Sequence, residues 1–142
     1  MTQRVIESLS EAECFELIRH GGVGRFVFED ADGPAAVPVN YGLAGKEIVF
    51  RVETHSHLRE MLKRPVAFEV DETEPETNLG WSVLIRGSGR EVEMDHVPEL
   101  LRSMGEEFPQ PWASGVHNVW VSITARQVTG RRLTEPYFAT IF

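Results

Sequence analysis

"AAVPVNYGLAGKEIVFRVE", residues 35–53, decides how this chain folds. Val37, Val39 and Tyr41 alternate with Ala36, Pro38 and Asn40; further on, Ile48, Phe50 and Val52 alternate with Val49, Arg51 and Glu53. A period of two is the signature of a β-strand, whose successive side chains point to opposite faces. "GLAG", residues 42–45, leaves room only for a tight connection, so the segment reads as two strands in succession. Pro38 has no backbone N–H to give a ladder. Its strand is therefore expected at an edge, a bulge or a barrel seam.

The same alternation recurs on both sides. "VGRFVFED" (23–30) puts Phe26 and Phe28 on one face, and "DADG" (30–33) turns the chain into the segment above. "VAFEVDE" (66–72), "WSVLIRGSGREVEM" (81–94) and "NVWVSITARQVTGRRL" (118–133) follow, with the polar loop "TEPETNLG" (73–80) between the first two. Gly87 and Gly89 predict a bend or bulge in the long strand. Three helical patterns interrupt the strands. Ser10 with Glu13 forms a capping box, Leu9 and Cys14 are placed as a hydrophobic staple, and Gly21-Gly22 stops the first helix. Leu58, Met61 and Leu62 mark a short helix that Pro65 ends, and Asp95 is placed to cap a third carrying Leu100, Leu101 and Met104. About six strands joined mostly by tight turns, with two or three small helices, predict a mainly β (α+β) antiparallel barrel. Strands buried in a parallel sheet would be more continuously apolar.

The 142 residues suit a single domain spanning 1–142, with no linker or repeat to divide it. A formal charge of −8 disfavours nucleic acid as a partner. The single cysteine, Cys14, fits a reducing compartment and reads as a core residue, since no basic cluster lies beside it. With no signal-peptide pattern and no apolar run of membrane-spanning length, the expected location is the cytoplasm and no membrane partner is expected.

The chemistry-bearing cluster is "RVETHSHL", residues 51–58. His55 and His57 lack the further ligands that a metal site needs at regular spacing, so no metal is assigned. They also lack a nucleophile and an orienting carboxylate, and no catalytic residue is assigned. An anion site is better supported: Arg51 ends a strand, Thr54 and Ser56 offer hydroxyls, and a helix start near His57 presents N–H groups. A polar strand-to-helix corner capped by Ser56 explains the same residues without any ligand.

"PVNYGLAGKEIVFR", "VAFEVDETEP", "GWSVLIRGSGREV" and "VWVSITARQVTGRRL", in this order and spacing, resemble the pyridoxamine 5′-phosphate oxidase-like FMN-binding split-barrel family, in its small actinobacterial-type branch. The resemblance covers roughly residues 9–133. It implies a six-stranded split barrel that works as a homodimer, with FMN in a groove at the subunit interface. Pro38, Val39, Asn40 and Tyr41 would run along the flavin ring, largely through backbone contacts. Arg51, Ser56 and His57 would hold the phosphate, and Trp81 and Ser82 would lie near the ring. Three positions depart from the family's phosphate pattern, with Val52 for threonine, His55 for glycine and His57 for lysine. For Trp81, ordinary strand packing accounts for the residue equally well, and Trp112, Arg131 and Arg132 have surface explanations. The resemblance further implies an FMN-dependent oxidoreductase acting on a small molecule. A non-catalytic flavin-binding or sensing module and a deazaflavin (F420)-dependent reductase are the alternatives, and haem binding carries little weight.

Overall fold

The closing strand organises the sheet. The structure, a computed structural model, describes residues 4–53, 58–104 and 118–135. Its longest strand, β7 (Asn118–Thr134), pairs antiparallel with β6 (Leu79–Glu91) along nearly its whole length. On its other side β7 pairs first with β4 (Glu47–Glu53) and then with β1 (Val5–Leu9). From β4 the ladder continues through β3 (Gly33–Ala44), β2 (Gly22–Asp30) and β5 (Val66–Glu74) back to β6. The ring is thus closed by six strands, all antiparallel, with β1 added along β7. This is the split barrel that the alternation and the resemblance predict. β1 itself went unread, because "VIESL" is too short to show a period and four of its five residues are exposed.

Inside the ring the alternate side chains form one core. Phe26, Phe50 and Phe68 are fully or almost fully buried, with ring centroids 5.0 Å apart for Phe26–Phe50 and 5.5 Å for Phe50–Phe68. Burying one such ring stabilises the fold by roughly 1.5–3 kcal/mol. The helix α1 (Glu11–Ile18) plugs one end with Cys14, Phe15 and Ile18. Its capping box is formed in both directions between Ser10 and Glu13, and Gly21, at φ 71°, takes the left-handed turn that ends it. Burial pushes the Cys14 thiol pKa up, which keeps it protonated and unreactive.

Two expectations are refined. The tight turn after Tyr41 lies at Gly45-Lys46, so "GLA" belongs to β3. Asp95 does not cap the third helix: Met94–His96 wind as a 3-10 turn leading into α3 (Val97–Met104), and Asp95 sits within that turn, exposed. The bulge expected at Gly87 is present as a register shift between Arg86 and Gly87. A Cβ at Gly87 would come within 2.0 Å of the Thr124 carbonyl oxygen, so the close approach of β6 to β7 requires glycine there.

A second, smaller core lies outside the ring. Val49, Val92 and Trp120 are buried beneath α3, packed by Val97, Leu100, Leu101 and Met104. This is why β4 hides both faces: Ile48 and Phe50 point into the barrel, and Val49 points under the helix. The helix α2 (Leu58–Leu62) is only five residues long and inserts Leu58 and Met61 into the main core.

Candidate functional site

β3 and β4 part company in the middle of the barrel wall. Their ladder runs from Ala44↔Glu47 to Tyr41↔Phe50 and no further. Beyond it, Gly33–Asn40 pair only with β2, and Arg51–Glu53 pair only with β7, among the described residues. The result is a slot flanked by two strand edges that are free of ladder bonds to each other. Pro38 lies on this open stretch, opposite Arg25 of β2, which accounts for a proline inside a strand.

The side chains of the "PVNY" stretch divide as the alternation predicts. Val39 and Tyr41 are buried in the barrel, and the Tyr41 hydroxyl donates to the Ile18 carbonyl at 2.8 Å. Desolvation pushes the Tyr41 phenol pKa well up, so it stays a neutral donor. Ala36, Pro38 and Asn40 point outward. A ligand along this edge would therefore meet backbone from Val39 and Tyr41, and side chains only from the alternate positions.

Arg51 stands at the mouth of the slot, one step past the last β3–β4 pair and on the same outward face as Asn40. Its guanidinium carbon lies 5.2 Å from the centroid of the Trp120 ring, its ladder partner on β7. The Arg51 Nε is buried and has no hydrogen-bond partner among the described residues. A buried N–H without an acceptor costs about 1–3 kcal/mol, so an anion that accepts from it is favoured. Thr54, His55, Ser56 and His57 lie outside the described residues, as does Trp112.

Trp81 and Ser82 are elsewhere. They pair with Arg132 and Arg131, twelve and eleven residues along β7 from Trp120. At a rise of about 3.3 Å per residue, that is at most about 40 Å along the strand, although around the ring only β5 and β2 separate Ser82 from the Pro38 edge. The side chain of Trp81 is partly buried and packs on the barrel core, in keeping with ordinary strand packing. Ser82 faces outward into a cleft of about 450 Å³ shared with Glu69, Asp71, Arg131 and Ile6. There one Arg25 nitrogen donates to both Glu69 (3.1 Å) and Asp71 (2.8 Å). Desolvation, reinforced by the hydrogen bond and charge of Asp71, pushes Glu69 up to about 7 against the pull of Arg25. Neither Trp120 nor the Glu69 cluster was singled out from the sequence. Both depend on pairings between distant strands, which no local spacing reveals.

The exposed Glu93, Asp95 and His96 lie within 4.8 Å of one another by their ligand atoms, as surface acidic groups often do. No helix among the described residues is long and apolar enough to cross a membrane.

Residues 10–132 match the pyridoxamine 5′-phosphate oxidase family. The chain belongs to that family. It is 27% identical over 137 residues to an uncharacterised protein of Mycobacterium tuberculosis, covering 92% of this chain and 87% of the relative. Among solved structures, an FAD-binding protein of Mycobacterium smegmatis is 26% identical, with a TM-score of 0.65, covering 90% of this chain and 98% of that one. A conserved protein of unknown function from Corynebacterium diphtheriae is 25% identical, with a TM-score of 0.71 over 91% of this chain and 98% of that one. An FAD-binding protein of Mesorhizobium loti, at 21% identity and a TM-score of 0.72, shares the fold. Family members of this fold thus include flavin-binding proteins, and actinobacterial chains are prominent among the relatives.

Proposed function

We propose that this chain binds a flavin mononucleotide unit in the β3–β4 slot and serves as an FMN-dependent oxidoreductase for a small molecule. The observation that carries the proposal is Arg51: a half-buried cation whose buried Nε–H has no acceptor among the described residues, at the end of an open strand edge. The donor set suits the group. The edge of Gly33–Val39 that faces away from β2 lies outside the β3–β4 ladder and can meet a flat ring, and Arg51 suits a phosphate monoester. Ser56 and His57, which follow Arg51 in sequence, complete the proposed clamp. When bound, flavin supplies the redox chemistry, and the protein's own residues bind it, orient it and exclude water.

The proposal includes a homodimer with the cofactor at the subunit interface. Ser82 shares the outer sheet face with Ile6 (65% exposed) and Val23 (44% exposed), apolar side chains that a second copy would cover. A partner seated there would bring Trp81 and Ser82 towards the Arg51 end of the slot, from which eleven or twelve residues of β7 separate them in their own subunit. The proposed setting is the cytoplasm.

The test is direct. Protein purified without added cofactor should show flavin absorption, or bind FMN on titration. Arg51→Ala should weaken FMN about 10-fold or more while leaving riboflavin, which lacks the phosphate, unchanged. Failure of FMN to associate with the folded protein would overturn the reading. Bleaching of bound flavin by a nicotinamide donor distinguishes an oxidoreductase from a binding module. FAD is the second reading, favoured by the FAD-binding relative of M. smegmatis, and titration with both nucleotides decides between them.

A further inference from the structure

Several arginines elsewhere on this protein turn their N–H groups to carboxylates. Arg25 does so with Glu69 and Asp71, Arg59 with Glu91 at 3.1 Å, and Arg90 with Glu47 at 3.4 Å. Arg51 is held differently: by an indole face. Stacking engages the flat face of a guanidinium and leaves its in-plane N–H groups pointing away from the ring. The buried Nε, without a partner among the described residues, is what such an arrangement leaves behind.

Trp120 is itself firmly placed. It is 8% exposed, lies in the outer core with Val49 and Val92 under α3, and its carbonyl accepts from the Val92 N–H at 2.8 Å. Among the described residues no carboxylate pairs with Arg51; one there would have neutralised it and competed with an incoming anion. An aromatic face restrains the side chain and leaves its charge and donors available.

We infer that Trp120 is a positioning residue: it fixes the Arg51 guanidinium in advance, with its N–H edge towards the slot, so that the site selects a ligand ending in a phosphate over its uncharged counterpart. The outer core under α3 is then the support for an anion site. This rests on the flavin reading for the identity of the anion, but the restraint on Arg51 is a property of the free protein and is measurable without any flavin.

The experiment has two arms. In the first, side-chain ¹H–¹⁵N spectra of the free protein follow the Arg51 Nε–H, assigned by its loss in Arg51→Lys. The expected signal lies away from the bulk arginine position because of the ring, moves to the bulk position in Trp120→Met, and lies between in Trp120→Phe. In the second, FMN and riboflavin are titrated into each variant. Trp120→Met should weaken FMN about 10-fold and leave riboflavin within about twofold, with Trp120→Phe intermediate.

A bulk-like Arg51 signal in the wild type overturns the inference. So does a Trp120→Met protein that keeps the FMN-to-riboflavin preference while Arg51→Ala loses it; the flavin reading then stands without the positioning role. If Arg51→Ala leaves the preference unchanged, the phosphate assignment falls, and the Arg51 resonance alone decides for or against Trp120. Should Trp120→Met not fold, Trp120→Phe carries the test: wild-type values in both arms overturn the inference.

Discussion

The two faces of β4 make opposite use of neighbouring residues. Phe50 points into the barrel and meets Phe26 and Phe68, where everything around it is apolar and closed. Val49, its neighbour, points outward into a small core that also holds Trp120 and, through it, Arg51. The inner face keeps the chain folded. The outer face positions groups with unmet hydrogen-bonding capacity, and so is where ligand chemistry can reside.

Substitutions separate the two faces. Phe50→Ala should cost about 3–5 kcal/mol, the largest effect, seen as a large fall in denaturation midpoint. Val49→Ala removes less volume from a thinner core and should cost roughly 2 kcal/mol in the same measurement. If Val49→Ala costs as much as Phe50→Ala, the outer core is part of the folding core and the contrast fails.

The outer surface of the barrel at β5 also predicts a pH effect. The Glu69 carboxyl is raised in the folded protein to about 7 from an ordinary 4.5, so between those values the folded state holds a proton that the unfolded chain has released. Stability from this group is therefore fully present below pH 4.5 and is lost as pH rises through 7. Glu69→Gln should flatten the decline of unfolding free energy across this window. An unchanged pH profile in that variant would remove Glu69 from the account.

The smallest expected effect is at Ser122, fully buried on the outward side of β7 with its hydroxyl unpartnered among the described residues. Ser122→Ala should raise stability by roughly 1 kcal/mol, because it removes a desolvated donor that gains nothing. A loss of stability would mean that the hydroxyl is bonded after all.

How much of this was legible in the sequence follows from range. Alternation over five or more residues exposed six strands, and Ser10 with Glu13 exposed a helix start, because both signals are local. The slot was legible only in part: Pro38 marked an edge, and Arg51 ended a strand. What sits across from them is set by pairings such as Arg51↔Trp120 and Ser82↔Arg131, and these are invisible in a single chain. The grouping of Trp81 and Ser82 with Arg51 came from the family resemblance, and one subunit does not bring them together. β1 was missed for a related reason: it is defined by its partner, Gly130–Thr134, more than by its own residues.

That partner has one more role. Because β7 borders β1, β4 and β6, three separate pieces of chain made earlier each lack a ladder partner until residues 118–134 emerge during synthesis. The nascent chain can form the β2–β3 and β5–β6 hairpins early, but the cylinder cannot shut until its last stave arrives. Such high contact order slows the final step and leaves unpaired rims exposed in the meantime. Lesions in β7 should thus show themselves first as poor yield and aggregation in the cell, before any loss of activity is measured.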